Sequence, residues 1–210
     1  MLPGGKLTSK LCQSSEQALL DLHREMRGCR RCLESGFSIT PGAIFSGKAT
    51  ARVMIVGQAP GVTEVEAKRP FNASSGRRLF EWLGAAGWDE GEFRETQYMT
   101  AITKCYPGKS TGDRGDRVPS KEEQALCEPF LQRELAIVQP RVLIPVGGLA
   151  VRYFLGKVRL ADVVGQVFSR EAGGWVVPFP HPSGASLWLN KSAHQDLVRQ
   201  AVAHVARLTR

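Results

Sequence analysis

The chain has 210 residues, of which 42% are hydrophobic, and it carries a formal net charge of +8. This length allows one substantial core, no apolar run reaches the length of a membrane span, and residues 1–6 lack the apolar stretch of a signal peptide, so we expect no membrane association. Five cysteines without an export signal predict the reducing cytoplasm, and the basic excess suits an anionic partner, with DNA or RNA first.

Strand patterns and helical patterns alternate along the chain. Residues 1–14 show no periodicity and are predicted to form a flexible N-terminus, followed by a single domain over 15–210. Ser15 is a candidate cap for a first helix over 17–26, and an irregular connection is expected over 33–50. Predicted strands lie at 51–57, 97–103, 141–147 and 174–179, with a further edge strand at 163–169. Later helices are predicted at 74–87, 120–138, 150–155 and 192–208, the second of them opened by a capping box at Ser120.

This alternation predicts an α/β fold, a three-layer αβα sandwich with a central, mostly parallel four-stranded sheet. Ligands of such sheets bind beyond the carboxyl ends of the strands. Two of the turns expected there carry reactive side chains. The first is Gly57-Gln-Ala-Pro-Gly61, which leads to Glu64 and Phe71, and the second is His181-Pro-Ser-Gly-Ala-Ser186. The first turn is neither a GxGxxG motif nor a P-loop, so a nucleotide cofactor gains no support.

The cysteines form a second pattern. Cys29 and Cys32 make a Cys-x-x-Cys pair, and Cys105 and Cys127 lie far downstream. A close pair plus two distant thiols can ligate one iron–sulfur cluster or one zinc ion, because both sites need about four soft ligands. A redox-active pair and a set of ordinary thiols are the alternatives, and Cys12 has no partner in this pattern.

The motifs together resemble the uracil-DNA glycosylase superfamily, in particular the branch, often called family 4, that carries a four-cysteine iron–sulfur cluster. They follow one another in the order CxxC, GQAPG, RPF, Lys-Cys, a helix bearing Cys127, Pro-Val-Gly147 and HPS, over about residues 29–208. The resemblance implies a structural 4Fe-4S cluster, with zinc as the alternative, on Cys29, Cys32, Cys105 and Cys127.

The resemblance also implies roles for the two reactive turns. Phe71 stacks on a base flipped out of DNA, Glu64 lies near the sugar, and His181 faces O2 of the base. The Gln58 amide positions a water or contacts the base. The remaining base-binding candidates are Gly57, Ala59 and Asn72. The candidate DNA contacts are Ser183, Ser186, Lys191 and Arg114, with Lys109 and Arg117 on the same loops.

Two positions depart from the family pattern. Gln58 stands where the branch has Glu, and Ala101 stands where it has the Asn that reads the Watson–Crick edge of uracil. A methyl group cannot form hydrogen bonds, so Asn72, main-chain groups or a different base must account for recognition. Residues 106–119 contain no histidine, which excludes covalent trapping through that loop.

Elementary chemistry supports these roles, although each residue also has a purely structural interpretation. Base flipping costs a few kcal/mol, and stacking on an aromatic ring recovers ~1–3 kcal/mol per base. A donor at O2 stabilises the negative charge of the leaving base, and a carboxylate stabilises the cationic sugar and orients water.

The structural interpretations are simpler. In these, Phe71 packs in the core, Glu64 is a solvated loop carboxylate and His181 is an exposed histidine. The apolar run 187–189 is either a wedge into DNA or packing beneath the last helix.

The sequence therefore predicts a monofunctional DNA glycosylase that acts as a monomer on DNA containing a damaged base. It hydrolyses the N-glycosidic bond of a deaminated base, with uracil as the first candidate and hypoxanthine or another damaged base as alternatives. No lysine stands out as a Schiff-base nucleophile, so no strand-cleaving lyase activity is predicted. A catalytically weak lesion-binding protein of the same fold and an iron–sulfur redox protein are the competing functions.

Overall fold

The computed structural model describes residues 5–112, 115–183 and 187–210, and of residues 5–12 the backbone alone. The strands are β1 (Val53–Gly57), β2 (Tyr98–Ala101), β3 (Val142–Pro145), β4 (Phe168–Ser169) and β5 (Trp175–Val176). The helices are α1 (Gly5–Gly28), α2 (Arg31–Glu34), α3 (Val62–Ala67), α4 (Ala73–Ala85), α5 (Glu90–Thr96), α6 (Lys121–Val138), α7 (Gly148–Leu155), α8 (Leu160–Val163) and α9 (Ser192–Thr209). A 3-10 helix spans Leu187–Asn190.

The strands form one sheet in the order β2-β1-β3-β5-β4. The first four of these are parallel, and β4 pairs antiparallel with β5 at the edge. The predicted αβα sandwich is thus confirmed, with five strands rather than four. The fifth strand is the predicted edge strand, shortened to Phe168–Ser169 because the chain turns back at once through Gly173 and Gly174, both with positive φ.

Apolar side chains cover both faces of the sheet. Along β1, Val53 and Ile55 belong to one buried cluster, together with residues of α4, α5 and α9. Met54 and Val56 belong to a second cluster on the opposite face, with residues of α1, α6 and α7. The strand is buried on both sides because successive side chains alternate between the two faces.

Helix predictions succeeded where the pattern was long. The predicted helices near α4, α6 and α9 are present, and Ser120 caps α6 in a capping box with Glu123. The first helix is longer than predicted, because α1 begins at Gly5 rather than near residue 17, while the flexibility of the N-terminus stays a prediction. No proline or glycine interrupts residues 6–14, so the helix can extend beyond its core-facing part.

Four short helices were not predicted. They are α2, α3, α5 and α8, with four to seven residues each. A helix of two turns or fewer is too short to display a 3.6-residue hydrophobic period. Within the described ranges no helix is long and apolar enough to cross a membrane.

Candidate active site

A cleft of about 580 Å³ opens at the carboxyl edge of the sheet. The segments that follow β1, β2, β3 and β5 all reach it, as the parallel topology requires. It brings together these predicted residues: Gly57, Gln58, Ala59, Glu64, Phe71, Asn72, His181 and Ser183. The loop 115–118, which the sequence indicated only as a source of DNA contacts, forms part of the same wall.

Phe71 is held at the cleft in a strained conformation. Its φ is +50°, in the left-handed region that a bulky residue rarely adopts. Two groups fix its backbone, since its N–H donates to Glu64 Oε1 at 2.5 Å and its carbonyl accepts from Arg94 Nη2 at 2.9 Å. The ring lies against Gly57, where a Cβ would come within 3.1 Å of its Cζ atom. Lys68 and Ala73 in the same segment also have positive φ. A strained segment that presents an aromatic ring to a cleft indicates a functional position rather than ordinary core packing.

Glu64 is fastened to the main chain by both carboxylate oxygens. Oε2 accepts the N–H of Gly61 at 2.5 Å, and Oε1 accepts the N–H of Phe71. Burial raises the pKa of Glu64, main-chain hydrogen bonds oppose that shift, and the negative charge of Asp116 adds to it. Glu64 is therefore not a freely solvated loop carboxylate, because it joins the first turn to the aromatic residue.

His181 follows the last parallel strand and packs on Gly147, where a Cβ would lie 3.4 Å from its Cδ2 atom. Its Nδ1 accepts the main-chain N–H of Ser183 at 3.2 Å and lies 2.9 Å from the Ser183 hydroxyl. A neutral ring that accepts at Nδ1 carries its proton on Nε2. His181 is exposed to solvent on one side, but the protein around the ring partly desolvates it and lowers its pKa, so the neutral form is favoured near pH 7. The ring thus offers a fixed Nε2–H donor.

Some of the candidate base-binding groups already form hydrogen bonds within the protein, and others do not. Ala101 ends β2 at the cleft and is 5% exposed, and its carbonyl accepts from Lys104 Nζ at 2.5 Å. The Asn72 amide donates to the carbonyl of Thr63 at 3.4 Å. Within the part of the chain that the structure describes, the side-chain amide of Gln58 has no hydrogen-bond partner. Gln58 is therefore the amide in the cleft that stays available to a ligand.

The predicted DNA contacts are only partly placed. Ser183 lines the cleft, and Lys191 is exposed directly before α9. Arg117 is engaged elsewhere, because its guanidinium pairs with both oxygens of Glu123 at 2.6 Å. Ser186 and Arg114 lie outside the described residues, so those two predictions are not placed.

The apolar run after the HPS motif lies within the 3-10 helix, and its residues differ in exposure. Leu187 is 78% exposed, whereas Trp188 and Leu189 pack against the core. Trp188 also stacks on His194, with ring centroids 4.1 Å apart. The wedge interpretation therefore fits Leu187, and the packing interpretation fits the two residues after it.

Sequence reasoning missed three contributors to the cleft. Arg94 on α5 holds the carbonyls of Pro70 and Phe71. Asp116 lies on the cleft wall, and Tyr106 donates to its Oδ1 at 2.9 Å. The sequence signal for Asp116 is weak, since an acid in a loop rich in Gly, Asp and Arg is usually solvated.

The four predicted thiols line a second cavity, on the α1 and α6 side of β2. Cys29 follows α1, Cys32 lies on α2, Cys105 follows β2 and Cys127 lies on α6, and all four are free. Burial and the neighbouring thiols raise the pKa of Cys32 and of Cys105 to about 11. Neutral thiols are thus favoured unless a positive ion compensates the thiolate charge.

The cavity offers more than sulfur. The main-chain N–H of Lys104 donates to Cys127 Sγ at 3.3 Å, a type of contact that tunes metal-bound thiolates. The hydroxyl of Thr103, which also lines the cavity, is buried and has no hydrogen-bond partner among the residues that the structure describes. Among the described residues no three potential ligands lie close enough to hold a single metal ion. Four soft sulfur donors around one cavity fit a thiolate-bound iron–sulfur cluster or a zinc ion.

The carboxyl edge of the parallel sheet thus presents a clamped aromatic ring and an Nε2–H donor to one cleft. The profile of the uracil DNA glycosylase superfamily matches residues 44–205. The chain belongs to this superfamily.

Relatives of this chain include members of two types. A type-4 uracil-DNA glycosylase of Pyrobaculum aerophilum is 30% identical over 163 residues, covering 74% of this chain and 76% of the relative. One of Thermotoga maritima is 33% identical over 139 residues, covering 65% and 67%. A type-5 uracil-DNA glycosylase of Pyrobaculum aerophilum is 32% identical over 151 residues, covering 65% and 63%.

Proposed function

We propose that this protein removes uracil from DNA by hydrolysis of the N-glycosidic bond, as the first step of base excision repair in the reducing cytoplasm. The observation that carries the proposal is the pairing of a strained aromatic side chain with a fixed Nε2–H donor in one cleft. Phe71 supplies a flat surface for a flipped base, and His181 supplies a neutral donor for its O2 atom.

The reaction follows from charge development. As the bond between C1′ and the base breaks, its electron pair leaves with the base, and the sugar becomes cationic. The Nε2–H of His181 stabilises the resulting oxyanion, an interaction worth ~3–4 kcal/mol for preorganised donors in other enzymes. Water then attacks C1′. Glu64 holds Phe71 in place, because both of its oxygens already accept main-chain N–H groups, and its predicted place beside the sugar stays a prediction.

Recognition of uracil has to differ from that of relatives with an Asn at position 101. The Ala101 methyl group offers no hydrogen bond, and the carbonyl of Ala101 is occupied by Lys104. Gln58 is the amide in the cleft whose donors and acceptor have no partner among the described residues, so it reads the polar edge of the base. Asn72 contributes only if it leaves the carbonyl of Thr63.

The thiol cavity holds a 4Fe-4S cluster with a structural role. Four free thiols around one cavity and an N–H bond to Cys127 Sγ support this assignment, with a zinc ion as the alternative. When bound, the cluster supplies no step of hydrolysis, which needs no electrons.

The protein binds damaged DNA as a monomer, with one chain at each lesion. Lys191 and Ser183 supply phosphate contacts, and Leu187 enters the gap that the flipped base leaves. Ser186 and Arg114 remain predicted contacts of the same kind.

The test is base release from oligonucleotides that carry one uracil, hypoxanthine, xanthine or thymine, opposite each normal base and in single strands. We expect release of uracil, with His181→Ala slowing it about 100- to 1,000-fold. His204→Ala is the matched control, because His204 lies on α9 and bonds the carbonyl of Gly165 away from the cleft. Release of a different base, without release of uracil, would show that uracil is the wrong substrate assignment. Tight lesion binding without release of any base would favour the lesion-binding alternative.

A further inference from the structure

We propose that Asp116 is a catalytic residue of this glycosylase, the carboxylate that faces the cationic sugar and takes a proton from the attacking water. The inference rests on the proposed function and deepens it. It starts from a gap in the chemistry of this chain, because Gln58 cannot act as a base and both oxygens of Glu64 already accept hydrogen bonds.

Asp116 has a carboxylate oxygen that no donor among the described residues contacts, whereas each oxygen of Glu64 already accepts one main-chain N–H. Tyr106 donates to its Oδ1 at 2.9 Å. Within the described residues, Oδ2 has neither a hydrogen-bond donor nor an ion-pair partner. A general base needs an unoccupied lone pair within reach of the proton that it removes.

Asp116 Oδ2 lies beside Gly61 in the first turn. A Cβ on Gly61 would lie 2.9 Å from Asp116 Oδ2 and 3.3 Å from Glu64 Oε2. The two carboxylates therefore face one another across the first turn. Because Glu64 is bonded to the backbone of Phe71, Asp116 lies near the edge of the surface on which the base stacks.

The loop that carries Asp116 is braced at both ends of its short β-ribbon. Asp116 pairs with Lys109 in an antiparallel bridge, and the N–H of Arg117 donates to the carbonyl of Gly108 at 2.9 Å. The Arg117 guanidinium then fixes the loop to Glu123 on α6. A braced carboxylate with an oriented oxygen is a prepared group rather than a freely moving surface acid.

The water oxygen forms a bond to C1′, one water proton passes to Asp116 Oδ2, and the electron pair of the C1′–N bond leaves with the base. The base anion, bonded to His181, later takes a proton from solvent, and Asp116 returns its proton to water. No oxidant, reductant or further reactant is needed.

The first measurement is the single-turnover rate of base release, together with the dissociation constant for lesion DNA. We expect Asp116→Asn to slow release about 100-fold, while DNA binding is unchanged or tighter because a negative charge that faces phosphates is lost. Asp162→Asn is the matched control, an exposed acid paired with Arg159 that does not line the cleft. Gly61→Ala adds a methyl group beside Oδ2 without backbone strain, since φ is −91°, and should slow release as well.

The second measurement does not depend on catalysis. It compares binding of two abasic DNA analogues, one with a protonated ring amine at the anomeric position and one with a neutral tetrahydrofuran ring. Asp116→Asn should reduce the preference for the cationic analogue about tenfold. If the wild-type protein releases no base but shows this preference and loses it in the variant, the proposed function fails and the placement of Asp116 stands. Release within threefold of wild type with an unchanged preference overturns the proposal. A slower rate with weaker binding and a lower melting temperature shows a structural role and also overturns it.

Discussion

Replacing Glu64 by Gln separates its two candidate roles. In the folded protein each carboxylate oxygen accepts one main-chain N–H at 2.5 Å, from Gly61 and from Phe71. Gln can accept only one of these bonds and turns an N–H₂ group toward the other donor. The variant loses one charge-assisted hydrogen bond and leaves one N–H unpaired, which together cost about 3 kcal/mol.

That loss is comparable to the strain it normally offsets. A non-glycine residue in the left-handed region costs ~1–3 kcal/mol, so the turn at Phe71 should open once a clamp is removed. We expect Glu64→Gln to lower the melting temperature by about 6–12 °C. We also expect it to slow base release by about 10- to 100-fold, the same range that we expect for Phe71→Ala through lost stacking. Glu66→Gln is the matched control, with the same change at an exposed position of α3.

A double-mutant cycle distinguishes a role of Glu64 in holding Phe71 from a direct role at the sugar. If Glu64 acts by holding Phe71, Glu64→Gln should add less than about threefold to the defect of Phe71→Ala in single-turnover rate, because coupled residues are not additive. Fully additive effects, or a variant that loses activity with an unchanged melting temperature, would refute the positioning role and place the carboxylate at the sugar.

Three further predictions concern the buried groups beneath β2. Lys104→Met should destabilise the protein by about 3–5 kcal/mol in urea unfolding, because it strands the fully buried carboxylate of Glu134, and adding Glu134→Gln should recover more than half of that loss. Burial lowers the pKa of His23 to about 4, so the unfolded chain binds more protons below pH 6.5. Stability should therefore fall between pH 6.5 and 4, and His23→Gln should make this fall shallower by about 1–2 kcal/mol after allowance for solvent screening. Cys127→Ser should abolish absorbance near ~400 nm and iron content, whereas Cys12→Ser should retain both, and iron retained in the first variant would contradict the ligand set.

The sequence predicted what depends on periodicity and on motif order. The parallel strands, their carboxyl-edge turns and the convergence of Phe71 and His181 follow from alternating apolar segments, because parallel topology brings those turns to one edge. The exposure of Leu187 beside two packed neighbours could not be predicted, since it depends on a 3-10 helix of four residues.

Other features escaped prediction because they depend on distances between segments that are far apart in the chain. The hydrogen bonds of Glu64 to main-chain groups are not visible in residue types. Asp116 was missed for the same reason, since its partner Tyr106 and its neighbour Gly61 come from separate loops. Loop acids are usually solvated, and only a three-dimensional arrangement identifies the exception.

The short segment 102–105 connects the base cleft to the thiol cavity. The N–H groups of Ile102 and Thr103 donate to the carbonyls of Gly57 and Gln58 at 2.9 and 3.2 Å, which fixes the first turn to the end of β2. Two residues further on, Cys105 lines the thiol cavity. A group that binds Cys105 therefore restrains the backbone from which Gln58 projects. If the proposed cluster binds there, we expect it to support base recognition without electron transfer, because it would limit the motion of the Gln58 amide that we propose as the replacement for the missing Asn.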